Sequence, residues 1–278
     1  MVHSILGLAF VGLASAGKVL WDGRFNDLDS SKELDKWSWS NQVGPYQYYI
    51  HGDKKDASGG TKYVELSPNY KNPADSSSAK GVKITIDNTA KWNGSPMLRT
   101  ELIPSPKAFI EPAQPINKGK VFYHFSMKIA DANKPSVNHE HQVNFFESHF
   151  VEMKYGWVSG EQGISNPNLQ FMIGGQSKWK VEWKPQVWHN IAYEIDFSGG
   201  SVSFWHSTGS EPLKMTAGPF KTSTSSNGAD WHLGVLRLPR SGYDSNAPED
   251  WYFSGVYVES GPITTAVTGP SSGHGKGT

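Results

Sequence analysis

Large apolar side chains occupy every second position of the stretch GKVFYHFSMKIA, residues 119–130. These positions are Val121, Tyr123, Phe125, Met127 and Ile129. Successive side chains of a β-strand point to opposite faces, so a period of two brings all of these residues to one face. The stretch therefore predicts a strand with one face in a hydrophobic core.

The same alternation recurs along the chain in short runs separated by Gly, Pro, Asn and Ser. The runs are GVKITID (81–87), NLQFMIGG (168–175), WKVEWK (179–184), HNIAYEIDF (189–197), SVSFWHS (201–207), WHLGVLRL (231–238) and DWYFSGVYVES (250–260). Such a pattern is typical of a β-sandwich or jelly roll. SSKELDKW (30–37) predicts one or two helical turns, and FSGGSV (197–202) predicts a tight hairpin. We therefore predict an all-β fold, a two-sheet antiparallel sandwich or jelly roll with a concave substrate cleft.

The composition of the 278-residue chain indicates a neutral partner. Lys and Arg number 26 and Asp and Glu number 26, so the formal net charge is zero. The sequence has no basic stripe, which argues against nucleic acid as a partner. Aromatic residues make up 13% of the chain, with 11 Trp, and such rings fill cores or stack on the apolar faces of sugars. Cysteine is absent, which excludes disulfides and a thiol nucleophile.

The two ends of the chain differ in composition from its centre. An apolar run from Ile5 to Ala14 is followed by small residues, and Ala14 and Ala16 fit the A-x-A pattern of signal-peptidase sites. Residues 1–16 therefore predict a secretory signal peptide, because the run is too short to span a bilayer. The Gly/Ser-rich segment 263–278 predicts a disordered tail or a linker stub. Residues 17–262 remain as a single jelly-roll domain of a secreted protein with no membrane partner.

The stretch NHEHQVNFFES (138–148) is the first candidate site. If it is a strand, Val143 and Phe145 share one face and enter the core. Three polar side chains share the opposite face: Glu140, Gln142 and Asn144. A row of hydrogen-bonding groups suits a neutral polyhydroxyl ligand, although an ordinary solvated face has the same appearance.

The stretch SPMLRTELIP (95–104) places a second carboxylate on a similar face. Its alternation turns Leu98 and Leu102 to one side and Arg99 and Glu101 to the other. Two carboxylates that flank a bond are what glycoside hydrolysis requires, one protonated and one ionised. The alternative for Arg99 and Glu101 is a surface ion pair of little energetic value.

The histidines near these carboxylates raise the alternative of a metal site. His139, His141 and His149 lie close in sequence to Glu140 and Glu147, and a His-x-His pair on a strand can bind a metal. Neighbouring strand residues face opposite sides, which turns His139 and His141 away from Glu140. No third ligand has a suitable spacing, so we predict no metal and no cofactor.

The late stretch DWHLGVLRLPR (230–240) adds further polar candidates. His232, at the start of a strand, is either a structural histidine or a polar group of the site. The one G-x-S-x-G match, GPSSG (269–273), lies in the Gly/Ser-rich tail and not in a βαβ pattern, which argues against a serine hydrolase. The chain has no phosphate-binding glycine loop, which argues against a nucleotide enzyme. The candidate substrate-binding residues are Arg99, His141, Gln142, Asn144, His232 and Arg237.

Taken together, SPMLRTELIP, NHEHQVNFFESHF and DWYFSGVYVE resemble glycoside hydrolase family 131, secreted fungal β-glucan hydrolases. The resemblance runs from VLWDGRF to VYVES and leaves out the signal and the tail. It implies a β-jelly roll with an open cleft and inverting hydrolysis of β-1,3, β-1,4 and β-1,6 bonds. The implied catalytic pair falls on Glu101 in LRTEL and Glu140 in NHEHQ, and a cleft histidine falls on His232 in DWHLG. Of the pair, Glu140 is favoured as the acid because Arg99 would keep Glu101 ionised.

Two alternatives to a hydrolase stay open at this point. A jelly-roll polysaccharide lyase acting on a uronic-acid polymer would use similar polar groups, including Arg99, His141, Gln142 and His232. A lectin-like glucan-binding domain would need the aromatic residues but not the two carboxylates. We predict the hydrolase, a monomeric β-glucanase whose partner is a β-glucan and whose cleft tryptophans stack on glucose rings.

Overall fold

The computed structural model describes residues 17–36, 43–50, 52, 60–105, 110 and 114–270. Within them the strands are, in chain order, β1 (Lys18–Asp22), β2 (Tyr46–Ile50), β3 (Val64–Ser67), β4 (Gly81–Ile86), β5 (Leu98–Pro104), β6 (Lys120–Ile129), β7 (His141–Phe146), β8 (Val151–Tyr155), β9 (Asn168–Ile173), β10 (Gln176–Glu182), β11 (His189–Asp196), β12 (Ser201–Thr208), β13 (Lys214–Lys221), β14 (Trp231–Arg237) and β15 (Glu249–Ser260). The predicted signal peptide, residues 1–16, lies outside the described residues.

The strands form two antiparallel sheets. The eight-stranded sheet has the order β13-β12-β11-β6-β15-β4-β3, with β1 also paired to β15. The seven-stranded sheet has the order β10-β9-β8-β7-β14-β5-β2. Some adjacent strands are distant in sequence. For example, β14 lies between β7 and β5, so the sheet brings residues 231–237 next to residues 98–104 and 141–146. The predicted all-β sandwich is confirmed.

The core lies between the sheets and is rich in aromatic side chains. Tyr123 of β6 packs edge-to-face on Phe146 of β7 and Trp231 of β14, with ring centroids 5.1 Å apart in both pairs. The alternating residues of β6 are all buried there, as predicted. The fully buried tryptophans Trp21, Trp183, Trp231 and Trp251 belong to this core, so these four rings have a packing role.

Helical structure in the described residues is confined to short 3₁₀ segments. One of them, Ser31–Lys36, falls within the predicted SSKELDKW turns. The predicted FSGGSV hairpin is also present, since Asp196 of β11 pairs with Ser201 of β12. Among the described residues, no helix has the length and apolar character needed to cross a membrane.

Residues 263–270 pack against the sandwich, although the sequence predicted a disordered tail from residue 263. The Thr264 hydroxyl donates to Glu259 Oε2 (2.7 Å), the Leu213 N–H donates to the Thr265 carbonyl (2.8 Å), and Arg24 Nη1 donates to the Pro270 carbonyl (2.7 Å). Hydrogen bonds of both backbone and side-chain groups thus join residues 263–270 to the sandwich, which the Gly/Ser composition behind the predicted boundary at residue 262 did not indicate. The rest of the predicted tail lies outside the described residues.

Candidate active site

β5 carries the first candidate carboxylate on the outer face of the seven-stranded sheet. Leu98 and Leu102 enter the core, and Arg99 and Glu101 share the other side of the strand, as predicted. Arg99 Nε donates to Glu101 Oε1 (2.8 Å) and Arg99 Nη2 to Oε2 (2.6 Å). A bidentate pair of this kind is short and geometrically specific. Glu101 has no exposed surface, so the pair is not the loose surface contact that the sequence left open.

The central strand β14 approaches β5 unusually closely at Gly234. This glycine pairs with Glu101 and has a φ of 148°. A Cβ atom there would lie 2.2 Å from the carbonyl oxygen of Thr100. Only glycine fits this approach and this backbone conformation without strain. The close contact fixes the Glu101 backbone against β14.

His232 of β14 joins Glu101 to a third carboxylate. Its Nδ1 is 2.6 Å from Glu101 Oε2, and its Nε2 is 3.0 Å from Glu147 Oε2. Burial, the largest influence, lowers the pKa of His232, but the hydrogen bonds to Glu101 and Glu147 outweigh it and the net shift is upward. An imidazolium that donates from both nitrogens satisfies both carboxylates.

β7 does not keep its predicted alternation, because a bulge interrupts it at Asn144. Val143 pairs with Val235 and Phe145 pairs with His232, so two residues of β14 lie opposite Asn144, whose φ is 45°. The extra residue of this bulge is on β14. On β7, the positive φ of Asn144 breaks the alternation, so Phe145 takes the opposite face from Val143. The prediction that Phe145 shares the core face of Val143 is therefore wrong. Phe145 stacks on the His232 ring, with centroids 4.5 Å apart and an interplanar angle of 12°.

Asn144 was predicted to bind substrate, and the structure contradicts this. Its side chain is fully buried, and its Oδ1 accepts the N–H of Gly234 (3.0 Å). The Asn144 carbonyl accepts the hydroxyl of Tyr193 (3.1 Å). A bulge leaves backbone groups without ladder partners, and the Asn144 amide supplies one of the missing acceptors. Its role is to complete the bulge.

Glu140 directly precedes β7 and lies beside Gln142, as the sequence predicted. Lys154 Nζ is 2.5 Å from Glu140 Oε1, the Ser159 N–H donates to Oε2 (2.8 Å), and Gln142 Nε2 is 3.5 Å from Oε1. Burial is the largest influence and raises the pKa of Glu140, but Lys154 and the Ser159 N–H together hold it below its usual value. This direction disagrees with the acid role that the sequence favoured for Glu140.

Several functional groups of this face escaped the sequence analysis. Lys154 lies between Glu140 and Glu152, whose Oε1 is 3.6 Å from the ammonium, and His149 Nδ1 is 3.0 Å from Glu152 Oε2. The segment VEMKY (151–155) alternates Val, Met and Tyr with Glu and Lys, so its period could have placed both charges on one face. The Ser159 contact uses a backbone N–H and therefore leaves no signal in the residue type.

His141 and Arg237 were predicted to bind substrate, and both lie on the inner side of the sheet instead. His141 Nε2 is 2.7 Å from Glu249 Oε2, and Arg237 Nη1 is 2.8 Å from Glu249 Oε1. All three groups are buried. Burial raises the pKa of Glu249, but His141 and Arg237 outweigh it and lower the pKa to about 2. The two residues thus pair with a core carboxylate, and neither lies on the outer face on which the sequence predicted the substrate contacts.

The histidines weighed as metal ligands have other partners. His139 Nδ1 is 2.8 Å from Ser136 Oγ, and His139 Nε2 is 3.0 Å from Asp244 Oδ1. His149 stacks on Phe145, with centroids 5.1 Å apart. Among the residues that the structure describes, no group of three or more His, Cys, Asp or Glu side chains has the arrangement of a metal site.

Comparisons with known proteins agree with this architecture. Residues 19–264 match the family model of the glycoside hydrolase 131 catalytic N-terminal domain. The chain is similar to the crystal structure of a family 131 β-glucanase catalytic domain from Podospora anserina, with 61% identity and a TM-score of 0.85 over 91% of this chain and 100% of that chain. It is also similar to the family 131 catalytic domain from Coprinopsis cinerea, with 44% identity and a TM-score of 0.80 over 90% and 98%. No curated protein sequence matches. Because the family model spans most of the chain, the chain belongs to glycoside hydrolase family 131.

Proposed function

We propose that this chain is a β-glucanase that hydrolyses β-1,3, β-1,4 and β-1,6 bonds with Glu101 and Glu140 as its carboxylate pair. The observation that carries the proposal is that both carboxylates lie on one sheet face, each beside a cationic side chain, Arg99 or Lys154. Family membership and the similarity to the Podospora anserina β-glucanase support the substrate class.

The spacing of the two glutamates supports inversion. β14 separates β5 from β7, and two strand spacings amount to roughly 10 Å. Gly234 lies opposite Glu101, whereas the Leu238 N–H donates to the Glu140 carbonyl (2.9 Å). Four residues along a strand cover about 13 Å, so the two Cα atoms are on the order of 16 Å apart. Glu140 contacts Lys154 of β8, on the side of β7 that faces away from Glu101. This distance therefore fits the ~6.5–9.5 Å of an inverting pair better than the ~5 Å of a retaining pair.

Glu140 is the better candidate for the general base, which reverses the preference drawn from the sequence. Lys154 and the Ser159 N–H favour its ionised form, which a base that activates water requires. The proton for the leaving oxygen then starts on His232 Nδ1, passes to Glu101 and from there to the leaving oxygen. The neutral ring is reprotonated from solvent as Glu140 releases the proton that it took from water. Arg99 covers both oxygens of Glu101, so we expect substrate to displace the guanidinium from one oxygen before the proton is transferred.

The substrate contacts that remain are Arg99, Gln142 and His232, which border the two carboxylates. The Arg99 side chain is 15% exposed and Gln142 is half-buried, so both can reach sugar hydroxyls. Secretion, on the strength of the signal-peptide pattern in residues 1–16, and a monomeric state are part of the same proposal.

The test is an assay of reducing ends released from laminarin, barley β-glucan and carboxymethylcellulose. Wild type, Glu101→Gln, Glu140→Gln and the double variant are compared, with Glu211→Gln as the control because Glu211 is exposed and lies in the loop between β12 and β13. We expect release by wild type and the control, and at least a 100-fold loss in each active-site variant. Release of α-anomers, followed by NMR, would support inversion.

The rival functions correspond to other outcomes of the same assay. Products that absorb in the ultraviolet from a uronic-acid polymer, with no reducing ends from any β-glucan, would indicate a lyase. Binding to β-glucan that survives loss of both glutamates, with no product at all, would indicate a lectin-like domain. Either result would overturn the proposed hydrolase.

A further inference from the structure

Glu147 is a third carboxylate of the site, and the mechanism proposed above gives it no role. It directly follows β7, and its backbone N–H donates to the Asp230 carbonyl (3.0 Å). Its side chain is 69% exposed, yet its Oε2 is 3.0 Å from His232 Nε2. The buried Glu101 binds the other nitrogen of the same ring at 2.6 Å. The imidazole therefore connects a buried carboxylate to one that faces solvent.

The His232 ring is held in its plane by stacking. The Phe145 ring lies nearly parallel to the His232 ring, with an interplanar angle of 12°. The Phe145 ring also stacks on the His149 ring, with an interplanar angle of 8°. Stacking fixes the plane of the imidazole but not its rotation within that plane. The two carboxylates at opposite ends, Glu101 and Glu147, fix that remaining rotation.

We propose that Glu147 is a positioning residue of the active site, whose hold on Nε2 keeps the His232 ring oriented and doubly protonated so that Nδ1–H is directed at Glu101. The proposal rests on the proposed function, in which Glu101 needs that proton for the leaving oxygen. A merely structural contact would also join Glu147 to His232, but an exposed ion pair of that kind contributes little to stability.

The charges around the ring give the expected direction of the effect. Burial lowers the pKa of His232 most, Glu101 and Glu147 raise it, and Arg99 lowers it. His149, which stacks on the far face of Phe145, is a further titratable neighbour. Without Glu147, one of the two raising contacts disappears and the pKa of His232 falls. The protonated ring is present below that pKa and is lost as the pH rises through it, so its pH range contracts from the alkaline side.

The experiment compares wild type with Glu147→Gln and with Glu211→Gln as a matched control. The first readout is the ¹⁵N NMR titration of the His232 ring, which does not depend on any assumed substrate. The second is the pH profile of kcat and KM on β-glucan. For Glu147→Gln we expect a downward shift of the His232 titration and of the alkaline limb of kcat. We also expect kcat about 10-fold lower with KM within about twofold, while the thermal midpoint stays at the wild-type value.

The possible outcomes separate the two proposals. An unchanged His232 titration in Glu147→Gln would overturn the positioning role. A rise in KM with kcat and its pH profile unchanged would also overturn it, because Glu147 would then be a plain substrate contact. A shifted titration in a protein whose wild type releases no product from any β-glucan would support the contact between Glu147 and His232 but reject the proposed function.

Discussion

Replacing Lys154 with methionine tests how much the buried ion pair with Glu140 contributes to the stability of the fold. Lys154 and Glu140 are 8% and 5% exposed, and Glu152 is 2% exposed, so removal of the ammonium leaves two carboxylates in a poorly hydrated site. Breaking a buried pair by removing one partner costs about 3–5 kcal/mol. For a chain of this size that corresponds to a fall of roughly 6–20 °C in the thermal midpoint. Equilibrium unfolding in urea measures the loss of unfolding free energy.

The pH dependence of this loss follows from the pKa of Glu140. In the wild type it lies below the ordinary value of 4.5, so the stabilisation is present above 4.5 and is lost as the pH falls through the folded value. In Lys154→Met, burial acts without the ammonium and raises the pKa of Glu140, so acid relieves the variant by protonating the carboxyl. We expect the gap in unfolding free energy to be largest near pH 7 and to narrow toward about pH 4.

Two further variants make the Lys154 test specific. Lys120→Met removes an ammonium group from the Lys120–Glu194 pair, in which the Lys120 side chain is 54% exposed. This variant should lose less than about 1 kcal/mol of unfolding free energy. Adding Glu140→Gln to Lys154→Met removes one of the uncompensated charges and should restore part of the stability. Equal losses in Lys154→Met and Lys120→Met, or a loss independent of pH, would refute the reasoning.

Three other substitutions probe the framework of the site. Gly234→Ala should cost more than about 3 kcal/mol, because its Cβ would lie 2.2 Å from the Thr100 carbonyl; a midpoint of urea unfolding near that of wild type would contradict this. Arg237→Met should lose about 3–5 kcal/mol of unfolding free energy at neutral pH. Because the pKa of Glu249 is about 2, the wild type should lose the stabilisation from this pair only as the pH falls from 4.5 through about 2. Asn144→Ala leaves the Gly234 N–H without its acceptor and should cost about 1–3 kcal/mol in thermal unfolding; a cost below about 0.5 kcal/mol would mean that water replaces the amide.

The sequence was sufficient where strands are regular. β5 has no bulge in its pairing with β14, so alternation put Arg99 and Glu101 on one face and the leucines on the other. The side chains of a regular strand follow the period of two without reference to their neighbours. The same reasoning turned His141 away from Glu140, which the structure bears out.

The sequence failed where backbone geometry departs from that period. The residue types around Asn144 do not predict its positive φ, which reverses the face of Phe145, or the extra residue on the partner strand β14. Phe145 therefore lies outside the core that the sequence predicted for it and stacks on His232. The bulge depends on the register between β7 and β14, strands that lie about 90 residues apart in the chain, and register is a property of the folded sheet.

Buried charge was the second source of error. The sequence predicts His141 and Arg237 as substrate contacts, whereas the structure buries both, and charged side chains are rarely buried unless they are paired. Their partner, Glu249, begins β15 of the opposite sheet, and no local pattern links it to either residue. Lys154 escaped notice for the related reason that its value to the site lies in its contact with Glu140, which the pairing of β7 with β8 creates.

The pairing of charges across this face favours a neutral substrate over a uronate. Arg99 is bound by Glu101, Lys154 by Glu140 and Glu152, and His232 by Glu101 and Glu147. A substrate carboxylate would have to take Arg99 or Lys154 from a buried protein carboxylate, or compete with the buried Glu101 for His232. In each case a buried carboxylate would lose a counter-ion. A glucan hydroxyl can instead accept or donate a hydrogen bond at the edge of each pair while the charges stay matched. In the proposed mechanism, the same matching holds Glu140 ionised and keeps a proton on the ring beside Glu101.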